Sequence, residues 1–404
     1  MNVATEEEDL ASQPPWDLIA LLVLAFIVLG WMALAVSYNP SHGAQGAFER
    51  LHSVELLQFR TLPWRTFLLE MHGRYGPVFY ALIGALGLPL ESARAVGLVM
   101  HLASTLLVLQ LALHLGTSWW RASLLATAFF ASPFQFGPAL WGHPEAMATL
   151  LLVLGIVVPR LGDGTHRRAS VVLLPLTVTV DPSGTALVAS SCLDDLRQRR
   201  WVDLLPKAAA ALLALALLGL AWGGVAPPLL HEPAREPSLR AFLIALALLV
   251  LGLHAGDRIN RRAGTAVLLQ RFLMLWPLVV VLYGLSPALP AGGFVFSRID
   301  RLESAQLVPN LLSPALIAAV LAWSWNSLRD YRLSSAQILV CAAALSLGGA
   351  LYLKDVDFFF WPLLLMRLVR WGGRRPALRE SLLLAAIAWT VVGLTLATLS
   401  YPMS

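Results

Sequence analysis

Apolar residues run through the chain in blocks, many near the ~20 residues that a helix needs to cross a bilayer, with Arg-rich stretches between them. The blocks predict spans near 17–37, 94–115, 122–139, 144–158, 206–222, 239–253, 267–285, 311–325, 335–352, 358–369 and 380–399. A further short run between Pro77 and Pro89 is either re-entrant or a span closed by a tight turn. The pattern changes between 169 and 192. There two half-length apolar pieces flank Asp181-Pro182-Ser183-Gly184, with Arg167-Arg168 before them and Arg197, Arg199 and Arg200 after. Pro and Gly break a helix, and basic flanks belong on the cytoplasmic side. The segment therefore reads as a hairpin of two short helices with Asp181 at its outer tip.

Composition sharpens this. Charged residues make up 13% of the chain and hydrophobic ones 58%, with a mean hydropathy of +0.70. A soluble domain carries about 25% charged residues, so soluble, fibrous and disordered classes are excluded. The fold class expected is all-α, a polytopic integral-membrane bundle of about 11–13 spans by length and hydropathy. The net charge of +5 does not indicate nucleic acid, because the Arg residues sit between spans as topology signals. Cys192 and Cys341 lie far apart without a CxxC or His companion, so they read as plain core or lipid-facing residues. No firmly bound metal and no cofactor are expected, at most a loosely bound divalent cation. The N-terminal tail, 1–16, carries Glu6, Glu7, Glu8 and Asp9, unlike the positive start of a cleaved signal. The first run is read as a signal anchor with its N-terminus in the cytoplasm.

On that topology most Lys and Arg fall inside, whereas Glu49, Glu55, Glu70, Glu91, Glu145, Asp181, Asp300, Glu303, Asp355 and Asp357 fall outside. Carboxylates gathered on one face of so apolar a chain suggest chemistry on that face. The outer segment 38–75 is too long for a connector. Within it, Ala47–Arg60 has helical composition and places Glu49, His52 and Glu55 on one face with Phe48, Leu56 and Phe59. Juxtamembrane helices capping a cavity on the outer face are expected there.

The order of these motifs resembles the GT-C superfamily of integral-membrane glycosyltransferases, and their bacterial members in particular. Phe48-Glu49 is similar to the acidic motif that opens the family's first outer loop, with Phe48 where many members have Asp. Tyr75-Gly76-Pro77-Val78-Phe79-Tyr80 resembles the aromatic Pro motif that follows, and Ser92-Ala93-Arg94 the small-residue entry to the next span. Ser132-Pro133 and His143-Pro144-Glu145 resemble a later outer pair, with His143 in place of Arg. Val178 to Gly184 is similar to a hairpin tip that usually carries Lys rather than Asp181. Lys354-Asp355-Val356-Asp357 followed by Phe358 to Pro362 resembles the late basic and aromatic motif.

The resemblance implies transfer of a sugar from a polyprenyl-phosphate donor to a hydroxyl of a lipid, glycan or protein acceptor, in a bacterial inner membrane. A carboxylate must take the acceptor's proton, and cations must hold the leaving phosphate. Glu49 is the first candidate base, with Glu55 and Asp181 behind it. His52, Arg74, Tyr75, His143, Glu145, Arg298 and Lys354 are the candidate substrate-binding residues. A catalytic module over 17–222 and a C-terminal set of spans over 223–404 are expected. Two other readings stand beside this one. They are an inactive relative serving as a membrane subunit, and a lipid transporter or flippase, which would be expected to show related halves that the sequence lacks.

Overall fold

The computed structural model describes residues 54–71, 75–87, 90–140, 142–161, 168–223, 238–254, 256–257, 259–285, 309–347, 353–371 and 376–400. The expected first span and the N-terminal tail lie outside these residues. All regular structure among the described residues is helical. After a helical segment at 54–61, the chain forms α1 (Trp64–Glu70), α2 (Val78–Ala85), α3 (Leu90–His114), α4 (Trp119–Ala131) and α5 (Pro133–Leu140). It continues through α6 (Pro144–Leu161), α7 (Ala169–Val180), α8 (Thr185–Arg197), α9 (Trp201–Trp222) and α10 (Leu239–His254). The remainder is α11 (Thr265–Gly284), α12 (Pro309–Asp330), α13 (Arg332–Leu347), α14 (Leu353–Trp371) and α15 (Pro376–Ser400). Six helices, namely α3, α6, α9, α11, α12 and α15, are long and apolar enough to cross a membrane. This is the make-up of a multi-pass helical membrane protein.

The block at 122–139 is two helices rather than one. Ser132 interrupts it with extended backbone, and Pro133 opens α5, a position where its missing N–H has no intrahelical partner to lose. The hairpin has the expected form: α7, a single 3-10 turn at Pro182–Gly184, then α8. Asp181 makes that turn, its Oδ1 accepting from the Ser183 backbone N–H at 2.9 Å and from the Ser183 hydroxyl at 2.5 Å. With 12 and 13 residues, α7 and α8 reach only about 18–20 Å at 1.5 Å per residue. A hydrocarbon core is about 30 Å thick, so neither helix of the hairpin is long enough to cross it. The two ends of the bundle are named from the hairpin, a tip end at Asp181 and a base end at Arg197.

The 75–85 segment packs against the tip. The Gly76 N–H donates to the Val180 carbonyl at 2.8 Å. A Cβ at Gly76 would lie 1.9 Å from the Thr179 carbonyl oxygen, so only glycine permits this approach. Phe67, Met71, Tyr75, Phe79, Tyr80 and Ile83 are all buried behind it. Of the 38–75 stretch expected to cap a cavity, residues 38–53 lie outside the described set and α1 packs onto α9, while α2, just after the stretch, packs onto α6 and α7.

The core is organised around α14, which packs against α5, α6, α8, α10, α13 and α15. From Val356 to Leu365 every side chain of α14 with a described placement is buried. By contrast α11 lies at the edge, against α12 and α10, and exposes Leu269, Leu273, Met274, Leu278 and Val281 to the surroundings. Such a face suits lipid.

Candidate functional site

Three sequence motifs meet at the tip end. The Tyr75 hydroxyl, delivered by the loop before α2, donates to Oε1 of Glu145 at 2.5 Å. Glu145 lies in the first turn of α6, where a carboxylate complements the positive end of the helix. His143, just before that helix, sets its ring edge-on to Tyr75 with centroids 4.6 Å apart. Its Nδ1 lies 3.7 Å from Oε2 of Glu145. All three side chains are at least nine-tenths buried. The Gly76–Val180 hydrogen bond brings the hairpin tip, with buried Asp181, against the same loop.

Glu55 joins this group through a second tyrosine. It is fully buried, and the Tyr80 hydroxyl hydrogen-bonds it. Burial first, then the Glu55 charge and its hydrogen bond, push the Tyr80 hydroxyl well above its ordinary pKa, with a smaller contribution from Tyr75. Tyr80 is therefore a permanent donor. Of the residues proposed from sequence, Glu55, Tyr75, His143, Glu145 and Asp181 are gathered at one end of the bundle. Glu49, His52, Arg74 and Arg298 lie outside the described residues. Lys354 is in the first turn of α14, but its side chain lies outside the described set.

Sequence reasoning placed Asp357 among the outer carboxylates but gave it no role and no partners in the next layer down. Asp357, fully buried on α14, accepts from Ser132 Oγ at 3.0 Å and Trp389 Nε1 at 2.6 Å through one oxygen, and from Gln135 Nε2 at 2.7 Å through the other. Gln135 in turn accepts from Thr149 Oγ1 at 3.0 Å, one turn along α6 from Glu145. A chain of hydrogen bonds thus runs from α14 to the helix that carries Glu145. The available signal was a Gln and a Thr inside predicted spans, where polar residues are rarely incidental.

A separate polar network closes the base end. Asp257 accepts from the His254 Nδ1–H at 3.1 Å, from Ser327 Oγ at 2.7 Å and from the Arg367 guanidinium at 2.5 Å. Arg367 lies over the Tyr331 ring, 4.7 Å from its centroid, and also bonds the Leu253 carbonyl. Burial, the largest influence, raises the Asp257 pKa. The donors and the charge of Arg367 together outweigh it and leave the carboxyl below its usual value. Among the described residues no group of three His, Cys, Asp or Glu is placed to hold a metal ion.

Chemically, the tip end offers buried carboxylates and neutral hydrogen-bond donors. That set can recognise hydroxyl groups or accept a proton. No family model, no curated protein and no solved structure matches the chain.

Proposed function

We propose that the protein is a lipid-linked-sugar glycosyltransferase of GT-C type, acting at the tip end, which faces outward. One observation carries this reading: motifs at 75–80, 143–145 and 181, far apart in sequence, come together around buried carboxylates. Tyr75, His143 and Glu145 present a donor, a ring and an acceptor suited to sugar hydroxyls. Asp181 holds the tip on which they rest, and Glu55, enclosed against Tyr80, holds the loop.

In the reaction the acceptor oxygen bonds to the anomeric carbon of the sugar while the bond from that carbon to the phosphate oxygen breaks. The acceptor's proton passes to Glu49, and polyprenyl phosphate leaves as the anion. Arg74, Arg298 and Lys354 are the cations assigned to that phosphate. Arginine's fork and lysine's point charge both stabilise the negative charge that grows on the leaving oxygen.

The test uses the purified full chain in proteoliposomes with radiolabelled polyprenyl-phosphate sugars and candidate lipid and glycan acceptors. Release of polyprenyl phosphate is the readout. Glu49→Gln should lower the rate by about 10²–10⁴, the usual contribution of a general base. Glu55→Gln should lower it far less. A wild type that consumes none of these donors would overturn the transferase reading in favour of the inactive-subunit one. An active wild type indifferent to Glu49→Gln would move the base to Asp181 or Glu145.

A further inference from the structure

The corner between α5 and α6, from which His143 and Glu145 are presented, is built on a weak element. At eight residues α5 is well short of the ~12–15 that a helix needs to stand alone. Pro138 inside it removes an intrahelical hydrogen bond as well. At the corner Gly142 takes a left-handed backbone, φ 65, and the His143 N–H donates to the Pro138 carbonyl at 2.8 Å. Where His143 and Glu145 sit therefore depends on what grips α5 from outside.

That grip comes from one carboxylate. Asp357 holds α5 twice, through Ser132 just before its first turn and through Gln135 within it. It reaches α6 through the bond between Gln135 and Thr149, and Trp389 of α15 completes its donors. Asp357, Ser132, Gln135 and Thr149 are all at least nine-tenths buried, so water does not compete for these bonds.

The chain has a direction. A carboxylate only accepts, so Gln135 turns its NH2 to Asp357 and its Oε1 to Thr149. Thr149 answers by giving its proton across to α5. Elsewhere on these helices the hydroxyl of a Ser or Thr turns back to the carbonyl four residues earlier, as at Ser104, Thr105, Thr127 and Thr177. For Thr149 that carbonyl would be the one of Glu145. With an amide in place of the Asp357 carboxylate, Gln135 is free to turn over. Its NH2 would then face Thr149, and the hydroxyl would fall back onto its own helix.

We propose that Asp357 is a positioning residue of the tip end: through Gln135 and Thr149 it fixes the turn of α6 that sets Glu145 against Tyr75. For what that corner does, the inference rests on the transferase reading. Asp357 itself bonds neither Tyr75 nor Glu145.

The test uses the full chain in detergent with fluorotyrosine at its seven tyrosine positions. It follows the fluorine resonance of Tyr75, assigned as the line missing from Tyr75→Phe. Asp357→Asn and Thr149→Val should both shift that line, because the partner of the Tyr75 hydroxyl moves. Both should leave the line of Tyr331, at the base end, in place. Thr149→Ser, which keeps the hydroxyl, should bring the Tyr75 line back. A role confined to stability would lower the unfolding midpoint and leave that line unmoved.

In a wild type that transfers sugar, Thr149→Val should lower kcat/KM by about 10²-fold, as a misplacement of about 1 Å can, and Thr149→Ser should recover most of the loss. Should Asp357→Asn not fold, Gln135→Met takes its place, since it cuts Asp357 off from Thr149 and leaves the bonds to Ser132 and Trp389. The proposal is overturned if the Tyr75 line stays put in the folded variants, or if Thr149→Ser shifts it as far as Thr149→Val. An active enzyme that keeps its kcat/KM in Thr149→Val overturns it too. A wild type without transfer overturns the reaction reading alone, and the fluorine shifts still decide whether Asp357 sets the corner.

Discussion

At Gly76 the chain has no room for a methyl group. The obstructing atom is a backbone oxygen, 1.9 Å from the position a Cβ would take, and so it cannot rotate away. Gly76→Ala should destabilise the protein by at least the ~1–3 kcal/mol typical of overpacking, read as a lower unfolding midpoint in detergent. A variant as stable as the wild type would show that the loop does not meet the hairpin as described. Tyr75→Phe is the milder partner experiment. It removes only the hydrogen bond to buried Glu145, at a cost of about 1–3 kcal/mol for an acceptor left short of a donor. Tyr75, His143 and Glu145 were singled out in the sequence through the resemblance of their motifs, which does not say that the three side chains meet. Gln135, Thr149 and Trp389 were not singled out. A lone polar residue in an apolar run reveals that it needs a partner but not which one, and here the partner, Asp357, is 222 residues from Gln135 in the chain.

Among the elements, the hairpin was the most legible, because Pro182-Ser183-Gly184 stops a helix and basic flanks return both ends to one side. Beside its tip α2 packs on α6 and α7, and the loop before α2 is bonded to the tip through Gly76 and Val180. A cysteine at Ser183, which is half-buried, should be labelled by a membrane-impermeant thiol reagent only from the outer face. Labelling from the cytoplasmic side alone would refute the hairpin's orientation and the assignment that leans on it. The split of 122–139 was less legible, since Pro133 inside an apolar run reads equally as a kink. The loop after α10 gives a pH prediction. Asp257 is held below its ordinary pKa in the folded state. Its stabilisation is therefore complete above the unfolded value of about 3.9 and is lost as pH falls through the lower folded value. Unfolding midpoints recorded from neutral pH downward should show this acid limb in the wild type and a shallower one in Asp257→Asn. Arg367→Met, which leaves the carboxylate buried and unpaired, should cost about 3–5 kcal/mol near neutral pH.

For the molecule as a whole, blocks of apolar residues were enough to establish an all-helical multi-pass chain, because a bilayer tolerates little else. They could not show which helix lies at the centre. Hydropathy ranks α14 low, since Lys354, Asp355, Asp357, Arg367 and Arg370 interrupt it, and the apolar pattern predicts a span only over 358–369. The structure puts that helix in the middle, with Asp357, Arg367 and Arg370 met by neighbouring side chains. This placement bears on how the chain is made. On insertion scales, Asp, Lys or Arg at the centre of a helix costs about 2.5–3.5 kcal/mol, so α14 leaving the ribosome is a poor client for the translocon. Asp194, Asp257 and Gln135 are already synthesised by then, but Trp389 of α15 is not. A nascent chain stopped after Trp371 should therefore hold α14 loosely and release it to alkaline extraction or protease. The same segment should resist both once α15 has been added. Biogenesis of this protein would then finish from its C-terminus inward, the last helix locking the central one in place.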